Sequence, residues 1–189
     1  MNLSVFDTFP SNQNLKRIVI VCFGFFIIAN ISVNYAFVAS GYPVSFTESQ
    51  LSFSGEEIKS HYAVMTDEQI TMYLYAQIVD YVFIISYILL IFYLGIYLGR
   101  KLSQHKTLKN ISYLIAIGGV IAGCCDMVEN AFILLMIKEH ATFPNIYATL
   151  HSYLALVKFT LMIVALVGFI VLGILYIVKY RSEKIEAVS

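Results

Sequence analysis

Asp126, Glu129 and Asn130 stand within five residues of one another, in the stretch CCDMVENAF, inside a long apolar run. Two carboxylates and an amide at this spacing share a roughly 100° arc of a helix. Such a pair can share a proton, hold a cation, or serve as general acid and base. An ionised group at mid-membrane costs about 2.5–3.5 kcal/mol on insertion scales, so each one needs a partner or a use. The other apolar runs are interrupted in the same way. One carries Asn30 and Asn34, a second Gln77 and Asp80, and a third His151 and Lys158.

The elements that must hold these residues are membrane helices. The chain has 189 residues, 59% hydrophobic and 13% charged. A soluble domain is nearer 45–50% apolar and about 25% charged. Four apolar runs, about 18–38, 70–98, 111–137 and 146–178, reach or exceed the roughly 20 residues that cross a 30 Å core. The expected fold is therefore all-α, an integral-membrane bundle of four helices in a single transmembrane domain. The second and fourth runs are long enough that they must tilt or project into water.

Nine of the twelve Lys and Arg residues flank the runs on one side: Lys16, Arg17, Arg100, Lys101, Lys106, Lys109, Lys179, Arg181 and Lys184. The other two loops hold Lys59 and Lys138, and Lys158 lies within a run. This asymmetry puts both termini in the cytoplasm and segments 39–69 and 138–145 outside, in a multi-pass protein of the cell membrane. The first apolar run exceeds the 7–15 residues of a cleaved signal. Net charge is zero, with no basic patch for nucleic acid, and the GRKLSQHKTLK run serves as the positive-inside loop. Cys22, Cys124 and Cys125 all lie within apolar runs and form no CxxC pair. That excludes the cysteine frameworks of tetraspanins, claudins and quinone-linked thiol oxidoreductases.

The outer segment contains helix-start signals. Ser54 and Glu57 form a capping-box pattern, with Phe53 and Ile58 as staple, and predict a short amphipathic helix over about 55–65 on the outer surface. Thr66 and Gln69 repeat the pattern and should start the second span. VSFTESQLSF, just before, alternates imperfectly and reads as extended. His61 and His140 fall in the outer loops and read as solvated. The tyrosines read mostly as interfacial belt residues, with Tyr73, Tyr81 and Tyr87 placed to reach the polar cluster.

At 1.5 Å per residue, Asp80 lies about 15 Å below Ile70, Asp126 about 16 Å below Ile137, and Lys158 about 18 Å below Ile146. The polar residues thus occupy one slab, from the bilayer centre to the outer side. Their faces agree too. Tyr73, Gln77, Asp80, Ile84 and Tyr87 share one side of the second span, and His151 nearly eclipses Lys158. Gly119 and Gly123 lie on the Asp126 face and Gly95 and Gly99 at the inner end of span two, two GxxxG patterns that permit close approach. The inference is a polar cavity, open outward and closed towards the cytoplasm.

Three acids against Lys158 and one histidine leave excess negative charge that a dry bundle cannot hold, so a proton, a cation or water must balance it. The expected ligand or cation-binding set is Asp80, Asp126, Glu129, Asn130, Lys158, Gln77, His151 and Asn30. Three functions fit. The first binds or conducts a cation, proton or small polar ligand, with a homo-oligomer needed for transport by so few spans. The second is an intramembrane enzyme acting on a lipid or isoprenoid headgroup, with His151 as shuttle and Asp80, Asp126, Glu129 and His151 as a metal set. The third is a structural subunit or partner of another membrane protein, locked by interhelical bonds worth about 0.6–2 kcal/mol each. The residues assign neither a catalytic group nor a cofactor.

Overall fold

The computed structural model describes residues 3–186 of the chain, with side chains as far as Val178. The side chains of the basic tail residues Lys179, Arg181 and Lys184 lie outside the described residues. Seven helices follow in order: α1 (Val5–Thr8), α2 (Asn12–Ser40), α3 (Phe46–Gln50), α4 (Gly55–Ala63), α5 (Asp67–Lys101), α6 (Lys106–Lys138) and α7 (Asn145–Glu186). No strand occurs among the described residues. Four of the helices, α2, α5, α6 and α7, are long and apolar enough to cross a membrane, which makes this a multi-pass membrane protein. They overrun the apolar spans read from the sequence by a turn or so at several ends, because polar caps and basic last turns extend them into water.

The caps explain where each helix starts. The Ser11 hydroxyl accepts from the Asn14 N–H, and α2 stops at Gly41, whose φ of 64° is left-handed. Thr66 and Gln69 form a complete capping box: the Gln69 N–H donates to Thr66 Oγ1 at 3.2 Å, and the Thr66 N–H to Gln69 Oε1 at 2.9 Å. At α4 only half of the expected box forms. Ser54 Oγ accepts from the Glu57 N–H, but the Ser54 N–H donates to Ser52 Oγ instead of the Glu57 side chain. The segment expected to be extended is also helical. Ser45 accepts from the Glu48 N–H and starts α3, so a Ser-x-x-Glu pattern outweighed the loose alternation.

The long helices pack in chain order, α2 on α5, α5 on α6 and α6 on α7, while α5 and α7 touch more sparingly. The α5–α6 seam is the tight one. A Cβ on Gly95 would stand 2.7 Å from Ala116 Cβ, and Cβ atoms on Gly119 and Gly123 would run into Ile91 and Ile88. Ser112 Oγ donates to the Gly95 carbonyl across the same seam at 2.8 Å. Both GxxxG patterns therefore act, but between these two helices alone. α2 and α7, first and last in the row, make no comparable packing contact, so the bundle is open along one side. The tight packing expected on the side of the α5–α6 turn holds for α5 and α6, whereas α2, α5 and α7 leave a groove there.

At one end, α1 is pinned beneath the α5–α6 turn. Arg100 donates to the carbonyls of Phe6 and Pro10, Lys109 pairs with Asp7 at 3.0 Å, and the Tyr113 hydroxyl donates to Asp7 Oδ1 at 2.8 Å. The Tyr113 bond, with Lys109 behind it, holds the Asp7 carboxyl below the usual carboxylate range. At the other end, α3 and α4 cover the helix tips. Phe53 takes a left-handed φ of 54°, held by its N–H donating to Ser152 Oγ and its ring edge-on to Tyr153. Asn145 at the start of α7 donates to Glu56 Oε1 and accepts from Lys59. An aromatic core fills the space beneath, with Tyr42 stacked on Tyr73 at 4.4 Å and Tyr62 buried beside them. These tyrosines are core, not belt. His61, expected to be solvated, lies with Nδ1 3.4 Å from the Tyr42 hydroxyl.

Candidate functional site

The cluster forms where α5, α6 and α7 meet. On α5 the face from Tyr73 through Gln77, Asp80 and Ile84 to Tyr87 is buried throughout. On α6 Asp126, Glu129 and Asn130 are 4%, 0% and 0% exposed, and on α7 His151 and Lys158 are 1% and 4% exposed. Groups this buried must satisfy one another.

Lys158 is the hub. Its Nζ donates to Asp126 Oδ1 at 2.7 Å and lies 2.6 Å from Glu129 Oε2. The second contact is an ion pair without directed hydrogen-bond geometry, since neither Glu129 oxygen has a hydrogen-bond partner. The Tyr87 hydroxyl donates to Asp126 Oδ2 at 2.9 Å, so both oxygens of Asp126 are engaged. His151 Nε2 stands 3.5 Å from Glu129 Oε1, beyond a normal hydrogen bond. Asp80 is held differently. Its Oδ2 accepts from Asn130 Nδ2 at 2.7 Å, a neutral partner. Asn130 Oδ1 and both polar atoms of the Gln77 side chain are buried without a hydrogen-bond partner.

Asp80, Asp126, Lys158 and Asn30 border one cavity of about 230 Å³. Asn34 borders it too, its amide donating to the Asn30 carbonyl at 2.7 Å. Of the eight expected site residues, four reach this cavity. Glu129 sits behind Lys158, Asn130 behind Asp80, and His151 beside Glu129. Gln77 shares the buried face of α5 but touches the others through no hydrogen bond. Asp80, Asp126, Glu129 and His151 do not come together as a metal-ligating group among the described residues, which corrects that expectation.

Two features differ from the cavity expected. Phe46, Thr47 and Gln50 of α3 line the end expected to open outward, so it is not simply open there. It is flanked instead by α2 and α7, the pair that do not pack together. The α3 residues were missed because their segment reads as extended. Tyr87 was legible, lying seven residues beyond Asp80 on the same face.

The depth can be counted from either end. Arg100 to Asp80 is about 30 Å of helix, and Lys109 to Asp126 about 26 Å. Counted from that basic end, the cluster reaches nearly across a core of about 30 Å. The two counts bracket it between the bilayer centre and the boundary on the α3–α4 side. No family model, curated protein or solved structure matches the chain.

Proposed function

We propose that this multi-pass protein resides in the cell membrane with both termini cytoplasmic and handles a cation, proton or small polar ligand at the Lys158 pocket. One observation carries the reading. Lys158 is shared by Asp126 and Glu129, while Asp80, on the same cavity, has only a neutral amide for a partner. A locking ion pair needs one acid and one base. A third buried acid beside an occupied lysine provides a place for a further cation or hydrogen-bond donor. Lys158 acts in this reading as the resident cation, able to exchange partners when a second positive charge arrives. Conduction across the bilayer is the finer form of the proposal, with a homo-oligomer as its natural setting.

The test is reconstitution of the full chain in proteoliposomes under proton, sodium and butylammonium gradients. Asp126→Asn keeps the Glu129–Lys158 pair while removing one of the three negative charges. Its flux should fall at least about tenfold, which is about 1.4 kcal/mol in the barrier. Flux that persists unchanged refutes conduction. Failure of all three probes to shift thermal stability in an Asp80-dependent way refutes binding as well.

A further inference from the structure

Directly below the polar cavity, on its α1 side, lies a second, apolar groove of about 540 Å³. It is bounded by Phe26 of α2, by Leu90 and Leu94 of α5, and by α7 from Phe159 to Ile170. Phe159 and Met162 line both spaces, so groove and cavity adjoin. The volume falls within the roughly 300–1,000 Å³ of ligand sites. Lys158 to Ile170 is twelve residues, about 18 Å of helix. One leaflet of a 30 Å core is about 15 Å thick. The groove thus has the length of a single lipid chain and follows the open side between α2 and α7.

We propose that the ligand of the Lys158 pocket is a single-chain amphiphile with a small hydrogen-bond-donating head, a primary amine, whose chain lies in this groove. The inference rests on the pocket being a ligand site at all, and adds what that ligand is. Charge selects the head. Lys158 is already committed to two carboxylates, so the charge left over at Asp80 is negative. A phosphate or carboxylate head would meet two acids and no free cation there, which disfavours it. An ammonium head meets Asp80, in a cavity whose α2 wall carries Asn30 and Asn34, joined by an Asn34 Nδ2 to Asn30 Oδ1 bond of 3.3 Å. The chain enters sideways between α2 and α7, with no need to pass α3.

The test uses the purified full chain in micelles and hexadecylamine carrying a mid-chain diazirine. Hexadecanoic acid with the same label is the comparison. The amine should label the 159–170 stretch of α7, and the acid about tenfold less. Leu166→Trp should reduce the amine labelling about tenfold. Leu166 lines the groove and is 62% exposed, so the larger ring fills the groove without disturbing the core. The chain has no other tryptophan, so folding of the variant can be followed by its emission. Equal labelling by amine and acid, or labelling that Leu166→Trp leaves unchanged, overturns the proposal. If butylammonium still stabilises the protein through Asp80 in that case, the pocket reading survives alone. If neither butylammonium, sodium nor a proton gradient shifts its stability through Asp80, both fail together.

Discussion

Removing the Lys158 amine should be the most damaging single change in the molecule. Lys158→Met keeps the apolar stem of the side chain and deletes two contacts, 2.7 Å to Asp126 and 2.6 Å to Glu129. Both acids are then left with no cation, and their side chains are only 6% and 0% exposed. An uncompensated buried charge of this kind costs about 3–5 kcal/mol. Asp126→Asn removes one contact but leaves Lys158 paired with Glu129, and the lost charged hydrogen bond is worth about 1.5–3 kcal/mol. The two variants should therefore differ by about 2 kcal/mol, near 30-fold in the unfolding constant. The double variant should be no worse than Lys158→Met alone, because neighbours in one charge network are not additive. Equilibrium unfolding in mixed micelles, followed by steric trapping, measures all three. A Lys158→Met protein within about 1 kcal/mol of the parent would refute the charge balance described, as would strict additivity in the double variant.

Other consequences can be checked separately. Gln77 is fully buried with both side-chain ends unpartnered, so Gln77→Leu should be neutral or stabilise by about 1–2 kcal/mol; a loss of stability larger than that would mean the amide has a partner of its own. Gly123→Leu should push α6 away from Ile88 of α5 and destabilise by about 1–3 kcal/mol, read by the same unfolding assay, whereas Gly173→Leu, with open space around it, should not. The Glu56 carboxyl is held below its usual range first by the Asn145 amide and then by Lys59. A lowered folded value means that this tie between α4 and α7 is present above the ordinary value of 4.5 and weakens as pH falls below it. Amide exchange over Gly55–Ala63, corrected for intrinsic rate, should rise on acidification in the parent and be pH-independent in Glu56→Gln. Thr66→Ala should cost about 1 kcal/mol by removing the α5 cap, and no change on calorimetry would show that the loop holds the helix end unaided.

Periodicity carried much of this structure. The buried face from Tyr73 to Tyr87 follows from 3.6 residues per turn, and so does the shared arc of Asp126, Glu129 and Asn130. Capping residues located the starts of α4 and α5 within a residue or two. Pairing across helices was not legible, because spacing along one helix says nothing about its rotation against the next. That Lys158 serves Asp126 and Glu129 together, leaving Asp80 to Asn130, is a tertiary fact. The open side between α2 and α7 was hidden for the same reason, since GxxxG patterns show where helices approach and not where they part. Local competition explains the remaining differences. Ser52 took the Ser54 N–H that Glu57 was expected to hold, and Ser45 turned a weakly alternating segment into α3.

The most direct measurement is infrared difference spectroscopy on the reconstituted full chain, with sodium and butylammonium as probes. Adding either should perturb a carboxylate band. That band should vanish in Asp80→Asn and persist in Asp67→Asn, whose acid sits at the exposed start of α5. A difference spectrum identical in the parent and in Asp80→Asn, or no carboxylate band at all, would contradict a ligand site built on the third acid beside Lys158.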